Sequence, residues 1–216
     1  RLLTFYFSPE KPQTIHLIVN LNKQAELSWD AAEGISNWFV IENTGTQSIT
    51  YKVSEPRFVI LEPKPQICTY RVQSISADGK SGTPSEEIED AYSYYRYLYQ
   101  NMNYKDAVIA LERASKIFSG VNFKEEIVKT YTQEAQMYID RNEFEKALAS
   151  IESIERITGV QINTALQKAE IYRMMGDYKQ GISYLEKFKR NDDQNIVREL
   201  ISLYYLDKNY TKVKEL

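Results

Sequence analysis

The side chains that could do chemistry in this chain are few and scattered. His16 is the only histidine and Cys68 the only cysteine. An imidazole works as a base beside a nucleophile and an orienting acid, and it builds a metal site in company. His16 has no such company in an alternating strand, so it reads as a strand residue. Cys68 alternates in phase with Tyr70 and Val72, which places it inward as a small hydrophobe rather than a reactive thiol. With no second cysteine, an internal disulfide is excluded. The acidic groups Glu86-Glu87 and Glu89-Asp90 read as the start of a helix, where negative charge suits the macrodipole. Asp140 and Asp192-Asp193 fall in expected turns without calcium-loop spacing. No glycine-rich phosphate loop occurs. No catalytic residue, cofactor or metal site is therefore assigned, and the chain is not expected to be an enzyme.

A second kind of chemistry, recognition by a built surface, is better supported. Asn103-Tyr104-Lys105-Asp106-Ala107, Glu143-Phe144-Glu145-Lys146-Ala147, Asp177-Tyr178-Lys179-Gln180-Gly181 and Asn209-Tyr210-Thr211-Lys212-Val213 share one grammar. A polar residue precedes an aromatic one, and a small or apolar residue follows three positions later. The aromatics advance by 40, 34 and 32 residues. A period in the thirties marks stacked helix pairs, which make binding surfaces rather than catalytic pockets.

The elements that would position this surface divide along the chain. All six prolines precede residue 85, and both tryptophans, Trp29 and Trp38, lie in that first part. Proline removes a backbone donor and clashes with the preceding helical turn, so a proline-free remainder suits helices. Up to Ser85 there are eight basic and eight acidic residues, and beyond it nineteen and twenty-two. No basic stripe offers a nucleic acid its counter-charge. No apolar run reaches the roughly 20 residues of a membrane span, and polar Thr4, Ser8 and Glu10 interrupt any signal-peptide core. The absence of an initiator Met and the stop within an expected helix suggest a fragment of a longer protein.

Alternation and β-branched or aromatic residues predict strands at 14–21, 25–30, 37–42, 48–53, 57–62 and 67–77. Six or seven short strands at this spacing suggest an antiparallel sandwich. Leu27-Ser28-Trp29, Ile35-Ser36-Asn37-Trp38-Phe39-Val40, Leu61-Glu62-Pro63, Tyr70-Arg71-Val72 and Gly79-Lys80-Ser81-Gly82-Thr83-Pro84-Ser85 resemble the fibronectin type III domain. They match its second and third strands, its tyrosine corner and sixth strand, and the approach to its seventh. One departure stands out: Tyr70 follows Leu61 by nine residues, more than the family spacing. The resemblance implies a sandwich acting as spacer or docking module. No Arg-Gly-Asp tripeptide occurs, so receptor binding by that loop is not implied. Residues 1–12 read as a strand or tail from a preceding region, or as an added edge strand.

Beyond the sandwich, Tyr131, Ala135 and Tyr138 share one helix face opposite Phe144, Ala147, Ile151 and Ile154. Ala165, Ala169 and Tyr172 face Tyr178, Gly181, Leu185 and Phe188 in the same way. These residues resemble the tetratricopeptide repeat (TPR), as three full repeats and a truncated fourth. The first-helix tryptophan, the Leu-Gly pair and the closing proline of that family are missing. The long first step implies an insertion around Ser119–Phe123.

The TPR resemblance implies a concave groove lined by the first helix of each repeat. By register it would present Tyr92, Arg96 and Tyr99, then Thr132, Gln136 and Ile139. Asn163, Glu170 and Arg173 follow, and then Arg198, Ser202 and Tyr205. Thr132 and Gln136 stand where a carboxylate clamp would hold Lys and Asn, so a mixed groove for a peptide or helix is expected instead. The tyrosine-rich run 92–99 serves either that groove or a seam against the sandwich.

The expected architecture is thus multidomain β + α. An antiparallel, fibronectin type III-like β-sandwich covers 13–88 and a TPR-like helical solenoid covers 89–216, joined rigidly at Ser85–Asp90. The expected function is a non-catalytic protein–protein interaction scaffold with a protein or peptide partner. The alternatives are an accessory, carbohydrate-touching or positioning region of a larger secreted or envelope enzyme, and self-association through the truncated last repeat. The resemblance leans toward a bacterial cell-envelope, periplasmic or extracellular location.

Overall fold

The computed structural model describes residues 8–118, 120–191 and 193–216. The chain divides into two compact units, with the boundary between Phe123 and Lys124. The first unit takes in the strands and the first helix pair, and the strands give way to helix at Asp90–Ala91, beside the expected 88/89 edge.

Among the described residues of the first unit, seven strands form two antiparallel sheets. They are β1 (Gln13–Val19), β2 (Ala25–Asp30), β3 (Asn37–Asn43), β4 (Ser48–Val53), β5 (Arg57–Ile60), β6 (Cys68–Ile75) and β7 (Ile88–Asp90). One sheet has the order β1-β2-β5 and the other β4-β3-β6-β7. Alternation sends Ala25, Leu27 and Trp29 inward from one sheet, and Trp38, Val40, Cys68, Tyr70 and Val72 inward from the other. Trp29 and Trp38 meet edge-on across the gap, ring centroids 5.9 Å apart. Each fully buried aliphatic here contributes about 1.5–3 kcal/mol by leaving water.

The expected strands fall within a few residues of those observed. The seventh strand, whose approach was read at Gly79–Ser85, is Ile88–Asp90, paired with Cys68–Tyr70. Glu89 and Asp90, expected to open a helix, therefore complete the sheet. They satisfy backbone groups of β6 that would otherwise be left bare. Asp90 then caps the following helix, its Oδ1 accepting the backbone N–H groups of Tyr92 and Ser93 at 3.0 Å each.

Of the expected N-terminal tail, residues 1–7 lie outside the described residues. Pro9 packs so closely on Gly82 that a Cβ at Gly82 would stand 2.2 Å from the Pro9 carbonyl oxygen.

Helices α1 (Ala91–Gln100) and α2 (Tyr104–Ala114) form a hairpin in the first unit. Its interior is aromatic: the Tyr92 ring lies 5.5 Å from Tyr95, 5.8 Å from Phe118 and 5.3 Å from Phe123. The insertion expected around Ser119–Phe123 falls partly outside the described residues, at Ser119.

The second unit holds α3 (Lys124–Asp140), α4 (Phe144–Thr158), α5 (Ile162–Met175), α6 (Tyr178–Leu185), α7 (Gln194–Leu206) and α8 (Tyr210–Glu215). Counting both units, eight α-helices follow the strands among the described residues. In the second unit α3 pairs with α4, α5 with α6 and α7 with α8. Ala135, Ala147, Ile151 and Ile154 share one core with Tyr131, Tyr138 and Phe144. Ala165, Ala169 and Leu185 share another with Leu200 and Leu203. Small residues permit this approach. A Cβ at Gly181 would stand 3.2 Å from the Leu203 side chain, so α6 and α7 meet where the glycine is.

Candidate functional site

The twelve residues expected to line a groove are divided between the units, and the structure uses them differently. In the first unit Tyr92 is 2% exposed, held inside the aromatic cluster. Arg96 turns to the sandwich, donating to the Leu61 carbonyl at 3.2 and 3.3 Å. Tyr99 is half-buried between the Tyr95 and Tyr104 rings, 5.8 and 5.5 Å away. Tyr92 and Arg96 are thus not on an open groove. The Tyr92 ring is satisfied within the helical hairpin's own aromatic cluster, and the Arg96 guanidinium by the carbonyls at the end of β5.

On α3, Thr132 spends its hydroxyl on the Val128 carbonyl at 2.9 Å, Gln136 donates to Asp140 at 2.8 Å, and Ile139 packs into the core. Asn163 is exposed at the start of α5.

The structure brings residues together most clearly on α5 and α7, which lie against each other. A shallow cleft of about 290 Å³ is lined by Leu166, Gln167, Glu170, Asn195, Arg198 and Glu199. Arg173 braces it, its Nε donating to Glu199 at 3.1 Å and its guanidinium 3.5 Å from Glu170. Arg198 is exposed and has no ion-pair partner among the described residues. Ser202 and Tyr205 follow Arg198 at i+4 and i+7, on its side of the helix. Ser202 is half-buried, whereas Tyr205 is 61% exposed and edge-on to Tyr210 at 5.7 Å. One open cation, an exposed carboxylate, two amides, a leucine and a tyrosine offer hydrogen bonds, charge and apolar contact together. Nothing there constitutes a nucleophile with its base. Leu166, Gln167 and Asn195 were missed by the repeat register, yet they stand three or four residues from Glu170 and Arg198 and could have been read from helical spacing.

A second cluster lies inside the sandwich. Glu42, on the inward phase of β3 with Trp38 and Val40, is 2% exposed. Lys64 Nζ reaches both its carboxylate oxygens, at 2.8 and 3.0 Å, and the Tyr51 hydroxyl donates at 3.3 Å. Burial alone would depress the Lys64 ammonium, but the bonded Glu42 carries it above its ordinary value. Burial and then the Glu42 charge push the neighbouring Cys68 thiol up to about 11, so it is no nucleophile near neutral pH. Tyr70, in the position of the expected tyrosine corner, has a buried hydroxyl without a hydrogen bond of ordinary geometry. This closed ion pair offers neither a free base nor a free acid. A cavity of about 320 Å³ adjoins it, walled by Phe58, Ile60 and Leu61. A broader cleft of about 910 Å³ lies over β1, β2 and β5, where Ile18 and Val59 flank Glu26. His16 is exposed on β1, away from these groups. Among the described residues no three His, Cys, Asp or Glu side chains are placed to hold a metal ion, and no helix is long and apolar enough to cross a membrane.

No family model matches the chain, and no curated protein matches it. Solved structures similar to it include an Fn3-like protein from Clostridium thermocellum, at 19% identity over 38% of this chain and 92% of that one, TM-score 0.32. A structure described as a myokine is 20% identical over 38% of this chain and 95% of that one, TM-score 0.30. A beta-1,2-glucanase from Parabacteroides distasonis is 10% identical over 94% of this chain and 34% of that one, TM-score 0.30. At such TM-scores the strand order and the helix pairs remain the description of the fold.

Proposed function

We propose that this chain is a non-catalytic protein-interaction module. In this reading a fibronectin type III-like sandwich carries helical hairpins of TPR-like design, and the second unit receives a peptide or helix of a partner. The observation that carries it is the α5–α7 face, where Arg198 stands open beside Glu170 and the braced Arg173–Glu199 pair. Shallow mixed surfaces with arginine and tyrosine suit peptide recognition. The TPR-like design is supported by the aromatic and small residues repeated at each hairpin and by the close approach at Gly181. Among the described residues of the sandwich, Phe39, Tyr51 and Phe58 are each half-buried and no ring stands fully exposed as a flat platform, which favours a scaffold over a carbohydrate-touching accessory region. The envelope or secreted location implied by the fibronectin resemblance goes with this proposal.

The test is selection of a displayed peptide library on the full chain, repeated with Arg198→Glu and with Tyr205→Ser. Both sites are exposed, so both variants should keep the parent's circular dichroism and melting temperature. A peptide class enriched on the parent and lost on both variants is the expected result. Equal enrichment on all three, or none on the parent, overturns the reading.

A further inference from the structure

Residues 61–67 cross from β5 in one sheet to β6 in the other, and three sets of bonds grip this connection. Lys64 reaches through its side chain to both oxygens of buried Glu42 on β3, at 2.8 and 3.0 Å. Its own backbone N–H donates to the Ser93 carbonyl in the first turn of α1 at 3.1 Å. From α1 the Arg96 guanidinium returns to the Leu61 carbonyl at 3.2 and 3.3 Å. One residue is therefore bonded to the sheet through its side chain and to the helix through its backbone. Immediately beside it, β7 passes into α1 without an intervening residue, Asp90 ending the strand and capping the helix. A further polar tie, Arg113 on α2 with Glu89 on β7, is at the surface.

We propose that Lys64 is a latch that holds the α1–α2 hairpin on the sandwich, so that the two open and close as one cooperative unit. The ion pair to Glu42 fixes where the connection lies, and the connection fixes where α1 begins. A charge pair shielded from solvent resists salt, whereas the rim pair Arg113–Glu89 does not.

Hydrogen exchange of the full chain, read by mass spectrometry, tests the latch. The principal variant is Glu42→Leu with Lys64→Met, which removes both charges and leaves no unpaired carboxylate in the sheet. The expected result is exchange about tenfold or more faster across 91–114, with 25–30 and 37–43 unchanged. Arg113→Met should leave 91–114 as in the parent. Unchanged exchange across 91–114 in the double variant overturns the proposal. So does an equal loss over the strands, or an equal effect from Arg113→Met. Should the double variant fail to fold, Arg96→Met decides, since it cuts the grip from the helix side. Selective loosening of 91–114 then supports the latch, and no change overturns it.

Discussion

Lys168 on α5 and Glu155 on α4 form an ion pair of 2.7 Å with both side chains under 10% exposed, at 8% and 9%. Tyr184 on α6 donates its hydroxyl to the same carboxylate at 2.7 Å, and its ring lies 4.9 Å from the lysine ammonium. Three helices of the second unit thus share one charge. Burial opposes ionisation of Glu155, but the bonds from Lys168 and Tyr184 prevail and hold its carboxyl below the usual range. Burial likewise works against Lys168, and the bond to Glu155 with the nearby Tyr184 lifts it above its ordinary value.

The sign of the pH dependence follows. A lowered carboxyl stabilises fully above its unfolded value of about 4.3 and is lost as pH falls through the folded one. A raised ammonium stabilises fully below about 10.4 and is lost as pH rises through its folded value. Lys168→Met leaves Glu155 buried and unpaired, and should cost about 3 kcal/mol at pH 7. Denaturant melts at pH 7 and pH 3 check it: the difference from the parent should shrink at pH 3, and a constant difference would count against the pair.

Asp90 gives the opposite case. Burial pushes its pKa up, and the bonds from Ser93 and Tyr92 only partly offset this. A carboxyl raised in the folded state costs stability when ionised, so the chain loses stability as pH rises through that folded value. Asp90→Asn keeps an Oδ1 for the two backbone donors and should melt higher than the parent at pH 7. Asp90→Ala, which removes the cap, should lose about 1 kcal/mol. Thermal melts of the two variants side by side decide this, and a destabilised asparagine variant would refute the account.

Gly82 and Gly181 are fixed by neighbours rather than by turn geometry. Gly82→Ala places a methyl against the Pro9 backbone and should destabilise by about 1–3 kcal/mol. At Gly181 the neighbour is the far end of a leucine side chain, which can give way. There alanine should fall within about 1 kcal/mol of the parent, its helix propensity offsetting the crowding. Valine should cost about 2 kcal/mol. Chemical denaturation of the three variants measures the contrast.

Cys68 is fully buried, with its thiol pushed up to about 11. A thiol-disulfide reagent at pH 8 should leave it unmodified in the native chain and label it completely in denaturant. Fast native labelling would show that the sandwich end around Glu42 opens readily.

Much of this was legible in the residues. The period-two runs at 25–30, 37–42 and 48–53 match β2, β3 and β4 closely. Strands β2 and β3 alternate about a buried face, and edge strand β4 turns only Tyr51 and Val53 half inward. The paired small residues Ala135 with Ala147 and Ala169 with Gly181 marked the helix contacts, since only small side chains fit there. What was less legible depended on contacts between distant segments. Nothing local tells Ile88–Asp90 that β6 needs a neighbour, and the acidic run imitates a helix start. Arg96 has the spacing of a groove residue, yet its partners are carbonyls thirty-five residues away. The buried Glu42–Lys64 pair had one faint signal, a carboxylate in the inward phase of a strand. On the α5–α7 face, the repeat register found Glu170 and Arg198 but not the residues flanking them.

The edge-on contact of Trp29 with Trp38 makes the chain its own reporter. Every indole is in the first unit, while the second holds tyrosines and phenylalanines only. Tryptophan emission excited at the red edge therefore follows the sandwich alone, whereas helical circular dichroism is weighted toward the second unit. Two optical signals from one unmodified chain can distinguish whether its units melt together or in turn.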